Sequence, residues 1–377
     1  GLNAYAASGI RCCHESTRPE DVIAKMRLGM YAQLRMGSAW QDLPVIAKAL
    51  TETGIGGRFA CLVSDDTHPN TLVSHGHMDY ILRVAVQNGI DPISAIRMVT
   101  INTAQCYRMD QDLGAIAPGK CADIVFLKDL EQFEVTRTII DGDTVAQNGS
   151  MTRDLAPYTY PDWARHSVHL KDPVTADTFK IAAPENRDRV TIRAIEVIPA
   201  RVGDIERFVE LAVAGGHLES DIQQDVLKTV VLERHHATGT KGVGFVKGFG
   251  IKRGAMASTV AHDAHNLLVV GTNDDDMALA ANTLINCGGG MVAVADGKVL
   301  GLAKLPIAGL MNDESAEEMA ADVATLEEAW KTIGCSMPSP FMTMALIPLA
   351  CLPDLRLTNR GLVDCRTFQF VPLVVEE

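Results

Sequence analysis

The chain is 377 residues long, with 34 Lys plus Arg against 47 Asp plus Glu and a formal charge of −13. At roughly 150 residues per domain this length suggests two or three domains, and such a chain buries about three quarters of its unfolded surface without needing staples. The acidic balance argues against binding nucleic acid or an anionic membrane, though not against an uncharged nucleobase, and the longest apolar run, 341–352, falls short of the ~20 residues that span a bilayer.

The chain opens Gly1-Leu2-Asn3-Ala4-Tyr5, which resembles the interior of a helix and not a signal peptide, so an upstream portion is expected to be missing. Residues 2–8 read as a helix and 9–13 as a short strand. Residues 19–28 have helical spacing, opened by Thr17 as N-cap with Pro19 just inside. A strand is expected at 30–34, a helix at 43–51, and an apolar strand at 59–63 that runs into Ser64-Asp65-Asp66. Helices follow at 78–88 and 92–104. Strands alternating with helices imply parallel β/α units, whose chemistry sits where strands end and loops begin.

Beyond residue 110 the pattern changes to hairpins, with strands at 123–128 and 136–140 and a strong turn at Asp141-Gly142. Residues 151–188 hold most of a Pro- and Asp-rich connector. A second α/β region follows, with strands at 190–197 and 267–270, helices at 204–214 and 317–331, and a hairpin over 291–305 turning at Asp296-Gly297. There is no internal repeat. The nine cysteines include no C-x-x-C pair, which fits reduced thiols in a cytoplasm.

Two strand ends carry candidate chemistry. Cys13-His14-Glu15 offers an imidazole, a good metal ligand at a barrel mouth, although a lone strand-end His is more often a structural hydrogen-bonding residue. Asp65-Asp66 places two carboxylates side by side, which repel unless a cation or proton lies between them. The plainer reading is an Asx turn closed by His68-Pro69. Two such ends in one β/α series tilt the balance toward a metal site. In His75-Gly76-His77 no strand precedes the pair, so His77 reads as a loop or helix-start residue lining a pocket. In the second region, His262-Asp263-Ala264-His265 would put both imidazoles on one helical face; zinc and a plain polar cluster remain open there. Gly248-Phe249-Gly250 lacks a dinucleotide-binding frame.

With these motifs in view, the stretch Leu113-Gly114-Ala115-Ile116-Ala117-Pro118-Gly119-Lys120-Cys121-Ala122-Asp123-Ile124-Val125 resembles the return of an amidohydrolase-superfamily chain to its small β domain. Ser64-Asp65-Asp66-Thr67-His68-Pro69, Gly76-His77-Met78-Asp79, Glu233-Arg234-His235-His236-Ala237-Thr238-Gly239, Ser258 to Asn266 and Gly271-Thr272-Asn273-Asp274 together resemble the bacterial adenine deaminase family. The resemblance implies an α/β fold: the C-terminal part of a metal-dependent-hydrolase (β/α)8 barrel (1–108), a small β domain with connector (109–165) and a C-terminal α/β domain (166–377).

It further implies hydrolytic deamination of adenine in purine salvage, with Mn2+ or Fe2+ in a two-metal centre. His14 matches the metal ligand ending the sixth barrel strand, and Asp65 the ligand and proton shuttle ending the eighth. Asp66, Glu15 and His77 match positions near the purine, and His262, Asp263 and His265 could contribute from the C-terminal domain. The remaining ligands of such a site would lie upstream of Gly1. The implied protein is a cytoplasmic homo-oligomer acting on a small molecule, with no nucleic-acid or membrane partner. Another amidohydrolase, or a remnant that only binds or assembles, are the alternatives.

Overall fold

The computed structural model describes residues 1–199 and 202–375. The chain divides into two compact units, Gly1–Tyr158 and Thr159–Glu377. Among the described residues no helix is long and apolar enough to cross a membrane. The architecture is mixed α/β.

The first unit begins with α1 (Leu2–Ala7) and β1 (Cys12–Cys13), followed by α2 (Pro19–Arg27), β2 (Tyr31–Arg35), α3 (Leu43–Ile46), α4 (Lys48–Thr51) and β3 (Ala60–Val63). The three strands pair in parallel in the order β1-β2-β3. Parallel pairing sends all three carboxyl ends to one edge of the sheet. The central strand, Tyr31-Ala32-Gln33-Leu34-Arg35, is buried at every position, as a covered strand between two neighbours requires. Helix α2 starts on Pro19, carries Glu20 and Asp21 in its first turn and Lys25 and Arg27 in its last, and buries Val22 and Met26 one turn apart. Its N-cap is Arg18, not Thr17.

The expected helix at 43–51 is interrupted at Ala47. Downstream lie α5 (Pro69–Ser74), α6 (Met78–Gln87), α7 (Pro92–Val99) and α8 (Ile101–Cys106). The single helix expected over 92–104 is two, because Thr100 leaves the helical region at φ −121, ψ −97. Ile81, Ala85, Ala95 and Met98 pack from these helices onto Leu34, Ile46 and Leu62. A four-stranded antiparallel meander closes the unit: β4 (Ile124–Leu127), β5 (Val135–Ile140), β6 (Asp143–Gln147) and β7 (Ser150–Met151). Its turn is the expected Asp141-Gly142, with φ of 51 and 85, both positive as a two-residue hairpin demands.

The second unit contains α9 (Asp162–Arg165), β8 (Ile181–Ala182), β9 (Arg189–Val197), β10 (Asp204–Ala214), β11 (His217–Leu218), β12 (Val226–Leu232), β13 (Lys241–Lys247), β14 (Ala255–Ser258), β15 (Leu267–Gly271), α10 (Asp274–Cys287), β16 (Gly290–Ala295), β17 (Lys298–Lys304), α11 (Ala316–Thr332), α12 (Pro340–Ala345), β18 (Leu355–Thr358), β19 (Gly361–Asp364) and β20 (Gln369–Val371). Ten of these strands form one sheet, in the order β17-β16-β14-β15-β12-β13-β9-β10-β11-β8. Among the described residues, only β9 and β13 pair in parallel within it.

Both faces of this sheet are covered. Val231, Leu268 and Val270 share one core with Leu326 and Trp330 of α11, while Val230, Leu267 and Val269 share another with Met277, Ala281 and Leu284 of α10. The period of two along each strand thus divides an unbroken apolar run between two cores.

Two expectations fail in this unit. Residues 204–214 form a strand, not a helix, paired with β9 over nine positions. Val209 and Leu211 are buried while Phe208 and Glu210 are exposed, an alternation that acidic residues disguised. Arg189–Glu210 at 2.6 Å, Arg193–Glu206 and Arg207–Glu196 bridge the two strands with opposite charges. The segment around His262 and His265 is a turn between β14 and β15 and holds no helix, so a helical face does not bring those rings together.

Candidate functional site

The carboxyl ends of β1, β2 and β3 deliver three short segments to one place: His14-Glu15, Met36 to Asp42, and Ser64 to His68. Arg35, the last residue of β2, organises them. Its side chain is 2% exposed, and Nη1 donates to both Glu15 Oε2 (3.1 Å) and Asp65 Oδ2 (3.0 Å). Its Nε donates to Asp42 Oδ2 at 2.6 Å, and the guanidinium lies 5.9 Å from the Trp40 ring centroid. Nη2 is buried without a hydrogen-bond partner. The sequence reading missed Arg35. Its signal was a charged residue ending a strand otherwise destined for burial.

His14 Nε2 lies 3.0 Å from Glu15 Oε1. That hydrogen bond raises the imidazole pKa, with the negative charges of Glu15 and Asp65 adding to it against burial. The same bond lowers the Glu15 pKa, helped by Arg35. His14 and Asp65 are therefore linked through Glu15 and Arg35 at one sheet edge, with the whole of β2 between their strands. Asp65 sits at φ 60, the left-handed region that a short polar residue tolerates at a cost.

Asp66 is the more buried of the two aspartates, its side chain 7% exposed against 29% for Asp65. Ala39 N–H donates to its Oδ2 at 2.8 Å, and Ser38 N–H to its carbonyl at 2.9 Å. Its Oδ1 is buried without a partner. Burial pushes its pKa up to about 6, the Asp65 charge adding to the rise and the Ala39 N–H opposing it. The same loop is tied by Ser38, whose hydroxyl donates to Thr71 (2.9 Å) and accepts from His68 N–H (2.8 Å).

His77 is exposed at the N-cap of α6. With Gly37, Ser64 and Thr67 it lines a void of about 10 Å³, room for at most one water. A cavity of about 800 Å³ lies between α6–α8 and β4–β5, lined by Leu82, Ile96, Tyr107 and Phe133 among others. None of the strand-end residues reaches it.

In the second unit, the His262 and His265 ring centroids are 5.2 Å apart and Asp263 Oδ1 is 3.9 Å from His262 Nδ1. His265 Nδ1 accepts from Ala261 N–H, and burial lowers its pKa, with His262 and Arg234 adding to the effect. These contacts make a hydrogen-bonded cluster around Arg234, which is 1% exposed. Arg234 donates to the carbonyls of His265 (2.6 Å), Ser167 (2.7 Å) and Ala308 (3.0 Å), and burial pulls its pKa to about 10.

The donor types at the first unit's sheet edge, imidazole nitrogen and carboxylate oxygen, suit a divalent metal ion. Among the described residues, however, no group of three or more His, Cys, Asp or Glu is arranged to hold an ion. His14, Glu15 and Asp65 therefore supply donors of the right chemistry without by themselves forming such a group.

Residues 37–145 match the amidohydrolase family and residues 204–369 match the adenine deaminase C-terminal domain. An adenine deaminase of Clostridium botulinum (strain ATCC 19397 / Type A) is 64% identical over 377 residues, covering 100% of this chain and 63% of the relative. That of Moorella thermoacetica is 54% identical over 374 residues (99% and 63%), and that of Mesorhizobium japonicum 43% identical over 375 (99% and 62%). The chain thus spans a little under two thirds of the length of these relatives. With both family matches in their order along the chain, and identity this high from end to end, the chain belongs to the adenine deaminase family of amidohydrolases.

Proposed function

We propose that the protein of which this chain forms the larger part hydrolyses adenine to hypoxanthine and ammonia, serving purine salvage in the cytoplasm. The observation that carries this reading is the gathering of His14, Glu15 and Asp65 at the carboxyl edge of three parallel strands, with Asp66 immediately behind. The naming of its relatives supports the choice of adenine. In the same reading residues 1–108 are the later part of a (β/α)8 barrel, 109–165 a small β domain with connector, and 166–377 a C-terminal α/β domain.

His14 and Asp65 would hold part of a two-metal Mn2+ or Fe2+ centre, whose contribution is to lower the pKa of the attacking water. Asp65 takes the proton of that water on a carboxylate oxygen and passes it to the departing amine nitrogen, so that water and adenine leave as hypoxanthine and ammonia. Arg35 engages Asp65 Oδ2, which leaves the second oxygen for that proton. Glu15 and Asp66 accept hydrogen bonds from the purine edge, and His77 lines the approach. Several polar contacts of this kind reject other bases, because a wrong base leaves buried groups unpaired. The remaining ligands come from an N-terminal portion, and the intact enzyme is a homo-oligomer.

The test is turnover by the full-length metal-loaded protein. Adenine should disappear with hypoxanthine and ammonia formed one to one, while dihydroorotate and guanine are poor substrates. Turnover of dihydroorotate with adenine untouched overturns the reading.

A further inference from the structure

We propose that Arg35 is the positioning residue of this site, fixing the carboxylates of Asp65 and Glu15 by sharing one guanidinium nitrogen between them. The inference rests on the deaminase reading for its activity readout only.

The geometry is that of a hub. One nitrogen, Nη1, donates to Glu15 Oε2 at 3.1 Å and Asp65 Oδ2 at 3.0 Å, carboxylates borne by strand ends on either side of β2. The opposite side of the same planar group, Nε, is held by Asp42 Oδ2 at 2.6 Å. Asp42 follows Arg35 by seven residues at the end of the β2 loop, so the anchor and the anchored belong to one local segment. The side chain is 2% exposed, while Glu15 and Asp65 remain 47% and 29% exposed. A buried rigid cation thus steers two partly open carboxylates.

Simple charge neutralisation would not need this arrangement. Lysine carries the same charge, but as a flexible point it cannot hold Asp42 on one side and two carboxylates on the other; a planar fork can. Fixing Oδ2 of Asp65 also decides which oxygen is turned to the reaction, and displacement of a reacting group by about 1 Å can cost 10²-fold in rate. The left-handed backbone of Asp65 (φ 60) agrees with a side chain held where local preference would not put it.

The experiment uses the full-length enzyme with Arg35→Gln, Arg35→Lys and Asp42→Asn, each scored for kcat, KM, metal bound per chain and thermal midpoint. Arg35→Gln is expected to lower kcat about 10²-fold with KM nearly unchanged and metal retained, since losing a neighbouring positive charge does not repel a cation. Arg35→Lys should fall with it. Asp42→Asn should lower kcat about tenfold, and adding it to Arg35→Gln should cost nothing further, because the two act through one contact.

Wild-type kcat in Arg35→Lys, or full additivity of the double variant, overturns the proposal. So does loss of metal with normal turnover per metal retained. If Arg35→Gln does not fold, Asp42→Asn alone decides by its kcat. If the wild type does not deaminate adenine, the functional reading falls. The positioning claim is then read from a crystal structure of Asp42→Asn, where unmoved Arg35, Asp65 and Glu15 side chains overturn it.

Discussion

Gly37 and Asp66 are in contact so close that residue 37 has no room for a side chain: a Cβ there would overlap Asp66 Oδ1 and stand 2.8 Å from the Asp66 carbonyl oxygen. The first residue after Arg35-Met36 is thus packed directly on the second carboxylate of the Asp65-Asp66 pair. Glycine is required here for close approach and not for backbone freedom, since its φ is not in the left-handed region.

Gly37→Ala is therefore expected to push the Asp66 loop aside. Overpacking of this kind costs about 1–3 kcal/mol, and the thermal midpoint should fall by a few degrees. Activity of the full-length enzyme should fall further than that loss explains, because Asp65 is moved with Asp66. Differential scanning calorimetry and kcat on the same protein check this; a stable variant with unaltered kcat would show that the loop's position is immaterial.

Asp65→Asn in the full-length enzyme should lower kcat by several orders of magnitude with the fold intact, since Asn preserves size but removes the anionic ligand and the proton carrier. General acid–base catalysis alone is worth about 10²–10⁴-fold. Asp66→Asn should divide its effect differently, with a larger share in KM, because the amide oxygen still accepts the Ala39 N–H and only the charge is lost. Loss of adenine absorbance, with metal measured on each protein, separates them. Near-normal kcat and full metal in Asp65→Asn beside a dead Asp66→Asn would exchange the two assignments.

The present chain by itself should bind less than one metal ion per molecule and show negligible deamination. His14 and Asp65 offer two donors, and among the described residues no larger ligating group exists. Joining the chain to the part of a relative that lies outside the match, in the same chain or as a second one, should restore both. Elemental analysis and an adenine assay on the two preparations test this. Turnover by the chain alone near that of the full-length enzyme refutes it.

Glu233 predicts a pH dependence in the second unit. Burial by itself would raise its pKa, but the N–H groups of His235, His236 and Thr238 and the Thr238 hydroxyl outweigh it and hold the carboxyl at about 2. Because the folded value lies below the unfolded one, near 4.3, the charged carboxylate stabilises the fold at neutral pH. That contribution shrinks as pH falls from about 4.3 towards 2. The midpoint difference between wild type and Glu233→Gln should accordingly be largest near pH 7 and close in that window. A difference independent of pH would remove the linkage.

The sequence by itself determined the β/α rhythm of the first unit, the hairpins at Asp141-Gly142 and Asp296-Gly297, and His14 and Asp65 as strand-end residues. Each of these rests on information local to a few residues: a turn's need for positive φ, a helix's start on Pro19, an apolar run that stops at a polar pair. The family resemblance was local too, carried by short motifs. Tertiary structure alone decided that residues 204–214 extend as a strand, because the arginines on β9 that pair with its glutamates are adjacent only after the sheet forms. It also decided the separate fates of Asp65 and Asp66, one turned to Arg35 and the other buried against Gly37. And it alone revealed Arg35, whose role depends on carboxylates 20 residues before it and 30 after, a distance that no local pattern spans.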